Sequence, residues 1–391
     1  MRRKDPESRV VLAVFVDAFG WRVMTRGPFL EEFLRYKTPL RTLLGYSSTC
    51  DPTILTGKLP REHGHFSFYF YDPAHSPFRS VSWLRWLPRP ILDRARVRRR
   101  LGSLFARLNG WTGYFQFYQM PFEWLTLFDY SEKRDIYQPG GILGGCPTFL
   151  DRFRSGGVRF FLADWRRPDP ENLRSLQAAL AERRIRFAYV MLGGLDGVMH
   201  RHGPDHDAAD RTIRDYETWL RALIETAARR YREVRVHVFS DHGMTRVTGG
   251  CDLIGRVERT GLRFGADYAA VYDSTMARFW FLKPEARERI EHALAQEPSG
   301  RWLSEADLHA YGCDFPGHRY GERFFLMNPG LVIEPSFMGR TRMAGMHGYD
   351  PDHPDSLAAY ATNVEDAPRP GGLTDLAGLF EREVGVEPGR A

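Results

Sequence analysis

The chain has 391 residues, of which 43% are hydrophobic and 27% are charged, so it can bury a core as one large domain or two smaller ones. This composition excludes a disordered, collagen-like or small disulfide-stabilised protein. The formal net charge is only +6, which is weak evidence for a nucleic-acid partner, and none is expected.

The cysteines are widely spaced and form no Cys-x-x-Cys pair, which indicates neither a disulfide framework nor a cysteine metal site. They are Cys50, Cys146, Cys251 and Cys313. The first apolar run, Val10 to Val16, is too short for a secretory signal, and no apolar run reaches the length of a membrane span. We therefore expect a soluble, cytoplasmic protein.

Three short apolar runs predict buried strands, and each is followed by an aspartate. Asp17 follows residues 10–16, Asp196 follows residues 187–192 and Asp241 follows residues 234–239. Continuous apolar runs are typical of parallel strands covered by helices on both faces, and helical patterns occur at residues 171–184 and 208–231. The sequence predicts an α/β fold with a central, mostly parallel sheet sandwiched by helices, and functional residues at the carboxyl ends of the strands.

Two stretches of different character interrupt this pattern. Residues 69–184 are rich in aromatic side chains and arginine, and we interpret them as an inserted cap. Residues 249–342 are interpreted as a second insertion, either a subdomain or a long hairpin. The catalytic core would then be discontinuous, comprising residues 1–68 and 185–391.

The cap contains a predicted basic amphipathic helix. From Val97, apolar residues recur at helical spacing, and the segment from Arg85 to Arg107 holds eight arginines and one acidic residue, Asp93. Most of the remaining positions of the helix are arginine: Arg94, Arg96, Arg98, Arg99, Arg100 and Arg107. Three interpretations remain open: a solvated helix on the core, arginine forks that hold a phosphate, or docking on an anionic lipid surface.

Three aspartates and three histidines could bind metal. Asp196 and His200 are four residues apart, which places both on one face of a helical turn. Asp241 and His242 are adjacent after another predicted strand, Asp17 follows the first strand, and His347 lies beside two glycines. A single aspartate at a strand end is usually structural, but six nitrogen and oxygen ligands are enough for two zinc-like ions.

A cluster of hydroxyl side chains lies in residues 45–57, just before a predicted helix start. Free backbone N–H groups and the helix dipole could receive an anion there. The alternative is a conventional N-cap with proline in the first turn.

Five motifs occur in the order found in the alkaline phosphatase superfamily, and the chain most closely resembles its nucleotide pyrophosphatase/phosphodiesterase branch. They are residues 16–20, the hydroxyl cluster with 56–64, residues 196–204, residues 240–244 and residues 347–350. The resemblance implies a metal-dependent hydrolase of phosphate esters, acting on a small-molecule substrate. Phosphomonoesterase, phosphonate hydrolase or phosphotransferase activity, or a metal-binding pseudoenzyme, are the alternatives.

The resemblance also assigns roles to individual residues. It implies two Zn²⁺ ions, or Mn²⁺. One would be held by Asp17, Ser47, Asp241 and His242, and the other by Asp196, His200 and His347. The nucleophile position falls on Ser47, with Ser48 as the alternative, and a covalent phosphoseryl intermediate is expected. The backbone N–H of Ser48 would contribute to substrate binding.

One position departs from the diesterase branch. That branch has an asparagine three residues before a Tyr-Asp-Pro sequence, which is present here at residues 71–73, and the position holds Phe68. Phenylalanine offers no hydrogen-bond donor to a phosphate, so Phe68 is expected to line the substrate site without that contact. Nearby histidines are expected to be structural: His63, His65, His202, His206 and His353.

Overall fold

The computed structural model of the protein describes residues 8–387, except for the side chains of Arg89 and Ile91. The strands are β1 (Arg9–Val16), β2 (Tyr36–Leu40), β3 (Tyr69–Tyr71), β4 (Phe128–Tyr130), β5 (Phe160–Leu162), β6 (Phe187–Leu192), β7 (Glu233–Phe239), β8 (Thr245–Arg246), β9 (Gly249–Cys251), β10 (Tyr268–Tyr272), β11 (Met276–Phe281), β12 (Gly300–Trp302), β13 (Arg323–Met327), β14 (Leu331–Ile333), β15 (Gly345–Met346) and β16 (Ala358–Thr362).

The α-helices are α1 (Trp21–Met24), α2 (Ser47–Thr56), α3 (Pro60–His63), α4 (Arg89–Leu92), α5 (Ala95–Leu108), α6 (Phe149–Ser155), α7 (Asp169–Ala181), α8 (Gly194–His202), α9 (Asp207–Arg230), α10 (Leu253–Glu258), α11 (Pro284–Ala295), α12 (Glu305–Ala310) and α13 (Leu376–Val384). Short 3₁₀ helices span Pro77–Trp86, Leu125–Leu127, Pro316–His318 and Leu373–Asp375. No helix in the described part of the chain is long and apolar enough to cross a membrane.

The central sheet has the strand order β2-β16-β7-β1-β6-β5. Strands β5, β6, β1 and β7 are parallel to one another, and β16 is antiparallel to both β7 and β2. The predicted fold class is confirmed: the sheet is mostly parallel and helices cover both of its faces. The three apolar runs of the sequence are its middle strands, because these are buried on both faces.

Alternate residues of β1 contribute to two separate hydrophobic layers. Val10, Leu12 and Val14 pack with Leu176 of α7 and Leu220 of α9. On the opposite face, residues 11, 13 and 15 pack with side chains of α2, α6 and α13. Because side chains alternate between the two faces of a strand, β1 lies at the centre of a three-layer sandwich and contacts helices on both sides.

The sequence-based boundary of the cap at residue 184 is corrected by the sheet. Phe160–Leu162 forms the edge strand β5 and Asp169–Ala181 forms α7, and both belong to the central sandwich. A strand of three residues is too short to stand out as an apolar run, which explains the error. The discontinuous core in residues 1–68 and 185–391 is otherwise still a prediction.

The second insertion, residues 249–342, contains an antiparallel sheet of order β10-β11-β13-β12. Its buried side chains share one hydrophobic cluster with those of the cap, including Phe78 and Phe105 from the cap and Tyr272 and Phe279 from the sheet. The two insertions therefore pack against each other.

Candidate active site

Predicted ligands lie together where parallel strands end. Asp17 directly follows β1, Asp241 and His242 follow β7, and Asp196 lies in the first turn of α8, after β6. Because β6, β1 and β7 are adjacent and parallel, these side chains meet at one edge of the sheet.

Asp17, Asp241 and His242 form the first group, whose potential ligand atoms all lie within 4.8 Å of one another. The Nε2 atom of His242 lies 2.9 Å from Asp241 Oδ2 and 3.7 Å from Asp17 Oδ1. The other ring nitrogen, Nδ1, is 2.9 Å from the carbonyl of Gly243 and donates to it, which directs Nε2 toward the carboxylates. Burial lowers the pKa of His242, but the neighbouring Asp241 outweighs it and raises that pKa to about 9.

The second group consists of Asp196, His200 and His347, again within 4.8 Å. Asp196 Oδ1 lies 3.2 Å from His200 Nε2, one helical turn along α8, and 3.8 Å from His347 Nε2. His200 Nδ1 donates to the carbonyl of Gly345 at 2.9 Å, so its Nε2 faces the site. His347 is brought in from the other end of the chain because Gly345 begins β15, which pairs with β8 just after β7.

The two groups adjoin through their imidazoles. The rings of His242 and His347 are stacked with centroids 3.7 Å apart and an interplanar angle of 12°, and the centroids of His200 and His347 are 5.1 Å apart. Two ions held by these groups would therefore be close neighbours, as two-metal hydrolysis requires.

The residues present fit two dications. Oδ1 of Asp17 and Oδ1 of Asp196, one from each group, are buried with no hydrogen-bond partner among the described residues. Burial and the nearby Asp241 and Asp196 raise the pKa of Asp17 well above its ordinary value. A bound cation would compensate these crowded carboxylates, and imidazole with carboxylate is a donor set suited to zinc.

Ser47 and Ser48 occupy different positions in the first turn of α2. Ser47 Oγ lies 3.2 Å from His242 Nε2 and lines the large cavity above the site. Ser48 is buried, and its hydroxyl donates to the carbonyl of Phe66 at 3.0 Å. Of the two hydroxyls, only that of Ser47 faces a potential metal ligand.

The cavity has a volume of about 1390 Å³ and extends from the two ligand groups to the cap. Phe68 lines it and packs on three tyrosines: its ring is parallel to that of Tyr130 (5.6 Å, 2°), stacked with Tyr118 (5.7 Å, 21°) and 5.4 Å from Tyr114. Tyr114 in turn contacts Trp165 edge to face. An aromatic wall thus surrounds the position at which the resemblance to the diesterase branch would place an asparagine, as the sequence led us to expect.

Comparisons with known proteins agree with this arrangement. The profile of the family described as type I phosphodiesterase / nucleotide pyrophosphatase matches residues 11–350. The chain belongs to this family. The superfamily and branch expected from the motifs are confirmed, and family membership indicates a hydrolase of the phosphodiesterase type. No curated protein matches the chain.

Solved structures of the family share the fold. Murine ectonucleotide pyrophosphatase / phosphodiesterase 5 superposes with a TM-score of 0.68 at 17% identity, covering 98% of this chain and 96% of that one. The human protein gives 0.67 at 15% identity, with the same coverage. An inactive threonine-to-alanine variant of the murine protein, in complex with AMP, gives 0.67 at 16% identity, also with that coverage.

Two buried carboxylates in the cavity were not singled out in the sequence. Asp51 lies one turn after Ser47 in α2 and accepts a hydrogen bond from the Tyr137 hydroxyl at 3.1 Å. Burial, followed by repulsion from Asp241, raises the pKa of Asp51 to about 8. Glu132, from the cap, has its pKa raised by burial and by Asp51. The spacing of Asp51 from Ser47 could have identified it, whereas nothing near Glu132 in the sequence points to the site.

The five histidines expected to be structural lie outside both ligand groups. His63 and His65 are buried and support α2: the Nε2 atom of His63 is 2.9 Å from Thr53 Oγ1, and its Nδ1 accepts from the backbone of His65. His206 caps α9.

Proposed function

We propose that the chain hydrolyses phosphate esters, diesters before monoesters, with Ser47 as the nucleophile. The observation that carries this proposal is the position of Ser47 Oγ, 3.2 Å from His242 Nε2, at the start of a helix and on the floor of the cavity. A serine hydroxyl is a weak nucleophile unless its environment favours the alkoxide.

Two zinc-like ions would be held by the two ligand groups, with Ser47 joining Asp17, Asp241 and His242, and Asp196, His200 and His347 forming the other site. When bound, such ions favour the serine alkoxide and stabilise the charge on phosphoryl and leaving-group oxygens.

In the first step, Ser47 Oγ forms a bond to phosphorus while the bond from phosphorus to the ester oxygen breaks. The Ser47 proton passes to solvent, and the leaving group takes up a proton as the alcohol. Water then attacks the phosphoseryl group in line, releasing the phosphate product and restoring Ser47. The backbone N–H of Ser48, in the first turn of α2, would donate to the equatorial oxygens.

The proposal is tested with purified protein, metal analysis and the diester bis-p-nitrophenyl phosphate. Ser47→Ala should lower turnover by at least about a thousandfold, because the covalent step is lost. Ser47→Thr retains a hydroxyl and should keep measurable activity. Ser48→Ala, the matched control in the same helical turn, should stay within about tenfold of the wild type.

Removal of one hydroxyl should leave the fold intact, which is supported by the murine relative, where an inactive threonine-to-alanine variant forms a complex with AMP. If Ser48→Ala abolishes turnover while Ser47→Ala does not, the nucleophile is Ser48. Two bound metals per chain without activity on any ester would instead support a metal-binding pseudoenzyme.

A further inference from the structure

The outer side of the cap exposes an unusual number of large apolar side chains. Of the eight large hydrophobic residues that are exposed in the described part of the chain, five lie within residues 83–108. They are Trp83 (55% exposed), Trp86 (77%), Leu87 (40%), Leu104 (54%) and Leu108 (77%). Isolated exposed leucines are ordinary, but a concentration of this kind marks an interaction surface.

Four of these residues belong to two elements that pack together, and Leu87 directly follows the first of them. Trp83 and Trp86 lie in the 3₁₀ helix Pro77–Trp86, and Leu104 and Leu108 lie on α5. The two elements are joined in the cap interior, where the rings of Phe78 and Phe105 stack at 5.3 Å. Their exposed sides therefore belong to one lobe of the molecule.

Exposed arginines lie beside the exposed leucines on α5. Arg96, Arg100 and Arg107 recur at intervals of four and seven residues, so they form one stripe along the helix. Leu104 follows Arg100 by four residues and Leu108 follows Arg107 by one, so both leucines lie at the edge of that stripe. The opposite side of the helix, with Arg98, Gly102 and Phe105, is buried.

One arginine of α5 is buried and has a structural role, whereas others on the same helix are exposed. Arg98 is buried; it donates to the carbonyls of Leu92 (3.1 Å), Tyr118 (3.0 Å) and Met120 (2.8 Å) and pairs with Asp93. Four other arginines of α5 have no side-chain hydrogen bond or ion pair with a described residue: Arg96, Arg99, Arg100 and Arg107. Their charges are thus available to an external anion.

We propose that this face of the cap, residues 83–108, docks on an anionic lipid surface. Tryptophan and leucine insert among lipid headgroups and acyl chains, while arginines beside them pair with lipid phosphates. Both components are present on one lobe, with Arg85 also stacked on Trp86 at 4.9 Å. A surface that recognised only a nucleic-acid backbone would use the charges and leave no role for Trp86 or Leu108.

Docking would bring the substrate cavity next to the lipid. Ala95, the first residue of α5, and Asp93, two residues before it, line the cavity, and Asp93 also pairs with Arg340 on a loop that lines it. The docking face and one wall of the cavity are therefore parts of the same short segment. This proposal does not depend on the identity of the nucleophile or on turnover.

The test is flotation of the full chain with vesicles of phosphatidylcholine alone and of phosphatidylcholine containing phosphatidylglycerol, at low and at high salt. The wild type should float with the anionic vesicles and be released by salt. Arg96→Glu, Arg100→Glu and Arg107→Glu together should weaken partitioning by at least about a hundredfold, since each arginine contributes about fivefold near such a surface. Trp86→Ser with Leu108→Ser should also weaken it.

The matched control replaces three exposed arginines of α9 that have no side-chain partner among the described residues, Arg211, Arg214 and Arg230, by glutamate. It changes the net charge by the same amount and should float like the wild type. Failure of the wild type to float with anionic vesicles overturns the proposal, as does equal loss in the α9 control. Binding of duplex DNA without binding of vesicles would assign the surface to nucleic acid instead.

Discussion

Replacement of Arg278 by methionine should destabilise the protein strongly. Arg278 is fully buried on β11, and its guanidinium makes hydrogen bonds to Asp273 (3.0 Å), to Ser67 (2.8 Å) and to the carbonyls of Tyr69 and Tyr320. Ser67 and Asp273 line the substrate cavity, so this single side chain ties the cavity wall to the second insertion.

The expected decrease in stability follows from the buried carboxylate that methionine leaves without a partner. Arg278→Met keeps the buried Asp273 but removes its partner, and the loss of one member of a buried ion pair costs about 3–5 kcal/mol. Urea denaturation at pH 7 should show this decrease in the free energy of unfolding. Arg263→Met is the control. The Arg263 side chain is 75% exposed, and its Nε lies 3.8 Å from Asp267 Oδ2. Such surface pairs contribute about 0–1 kcal/mol, so this variant should lose little stability.

A pH series separates the charge effect from lost packing. Burial already raises the pKa of Asp273 despite Arg278, and without Arg278 it should rise further. A carboxyl with a folded-state pKa above its unfolded value stabilises the folded state at low pH, and this contribution is lost as the pH rises through the folded-state pKa. The loss in free energy of unfolding caused by Arg278→Met should therefore shrink toward pH 4. The double variant Asp273→Asn with Arg278→Met should recover part of that loss at pH 7. A loss at pH 7 no larger than that of Arg263→Met would refute the reasoning.

Three further predictions concern pH, specificity and metal content. Burial lowers the pKa of His237 to about 3, so the unfolded chain binds an extra proton below pH 6.5 and stability should fall by roughly 1.4 kcal/mol per pH unit between pH 6 and 4. His237→Gln should reduce this slope in denaturation curves at several pH values, and an unchanged slope would contradict the assignment. Phe68→Asn should raise the ratio of diester to monoester turnover on a substrate panel, since it adds a donor at the cavity wall; a constant ratio would argue against a role in selection. His347→Ala should reduce bound metal from two ions to about one per chain, whereas the exposed His292→Ala should leave two; equal metal content in both variants would exclude His347 as a ligand.

The middle of the sheet and the grouping of the six candidate ligands could be predicted from the sequence because both follow from local patterns. Apolar runs that are buried on both faces mark β1, β6 and the last four residues of β7, and parallel strands end at the same edge. Asp17, Asp196 and Asp241 therefore lie close together because each follows one of these parallel strands, which the sequence shows. His347 is different: its place depended on the resemblance, because β15 pairs with β8 across about a hundred residues.

The edges of the sheet and the cap boundary could not be predicted. Strand β5 has three residues and β2 contains a proline, Pro39, so neither gives a strong strand pattern. The common hydrophobic cluster of the two insertions was also missed. Contacts of this kind depend on the shapes of surfaces that are distant in sequence, and periodicity reports only which side of each element is apolar.

Phe68 shows why substrate choice is harder to predict than the metal site. The residue precedes β3, but the rings that hold it, Tyr114, Tyr118 and Tyr130, come from the cap. Its neighbour Ser67 is hydrogen-bonded to Arg278 of the second insertion. The wall opposite the ligands thus depends on three separate parts of the chain, whereas each ligand group is fixed by the end of a strand. Substitutions in the cap should for this reason change substrate preference while leaving the metal content unchanged.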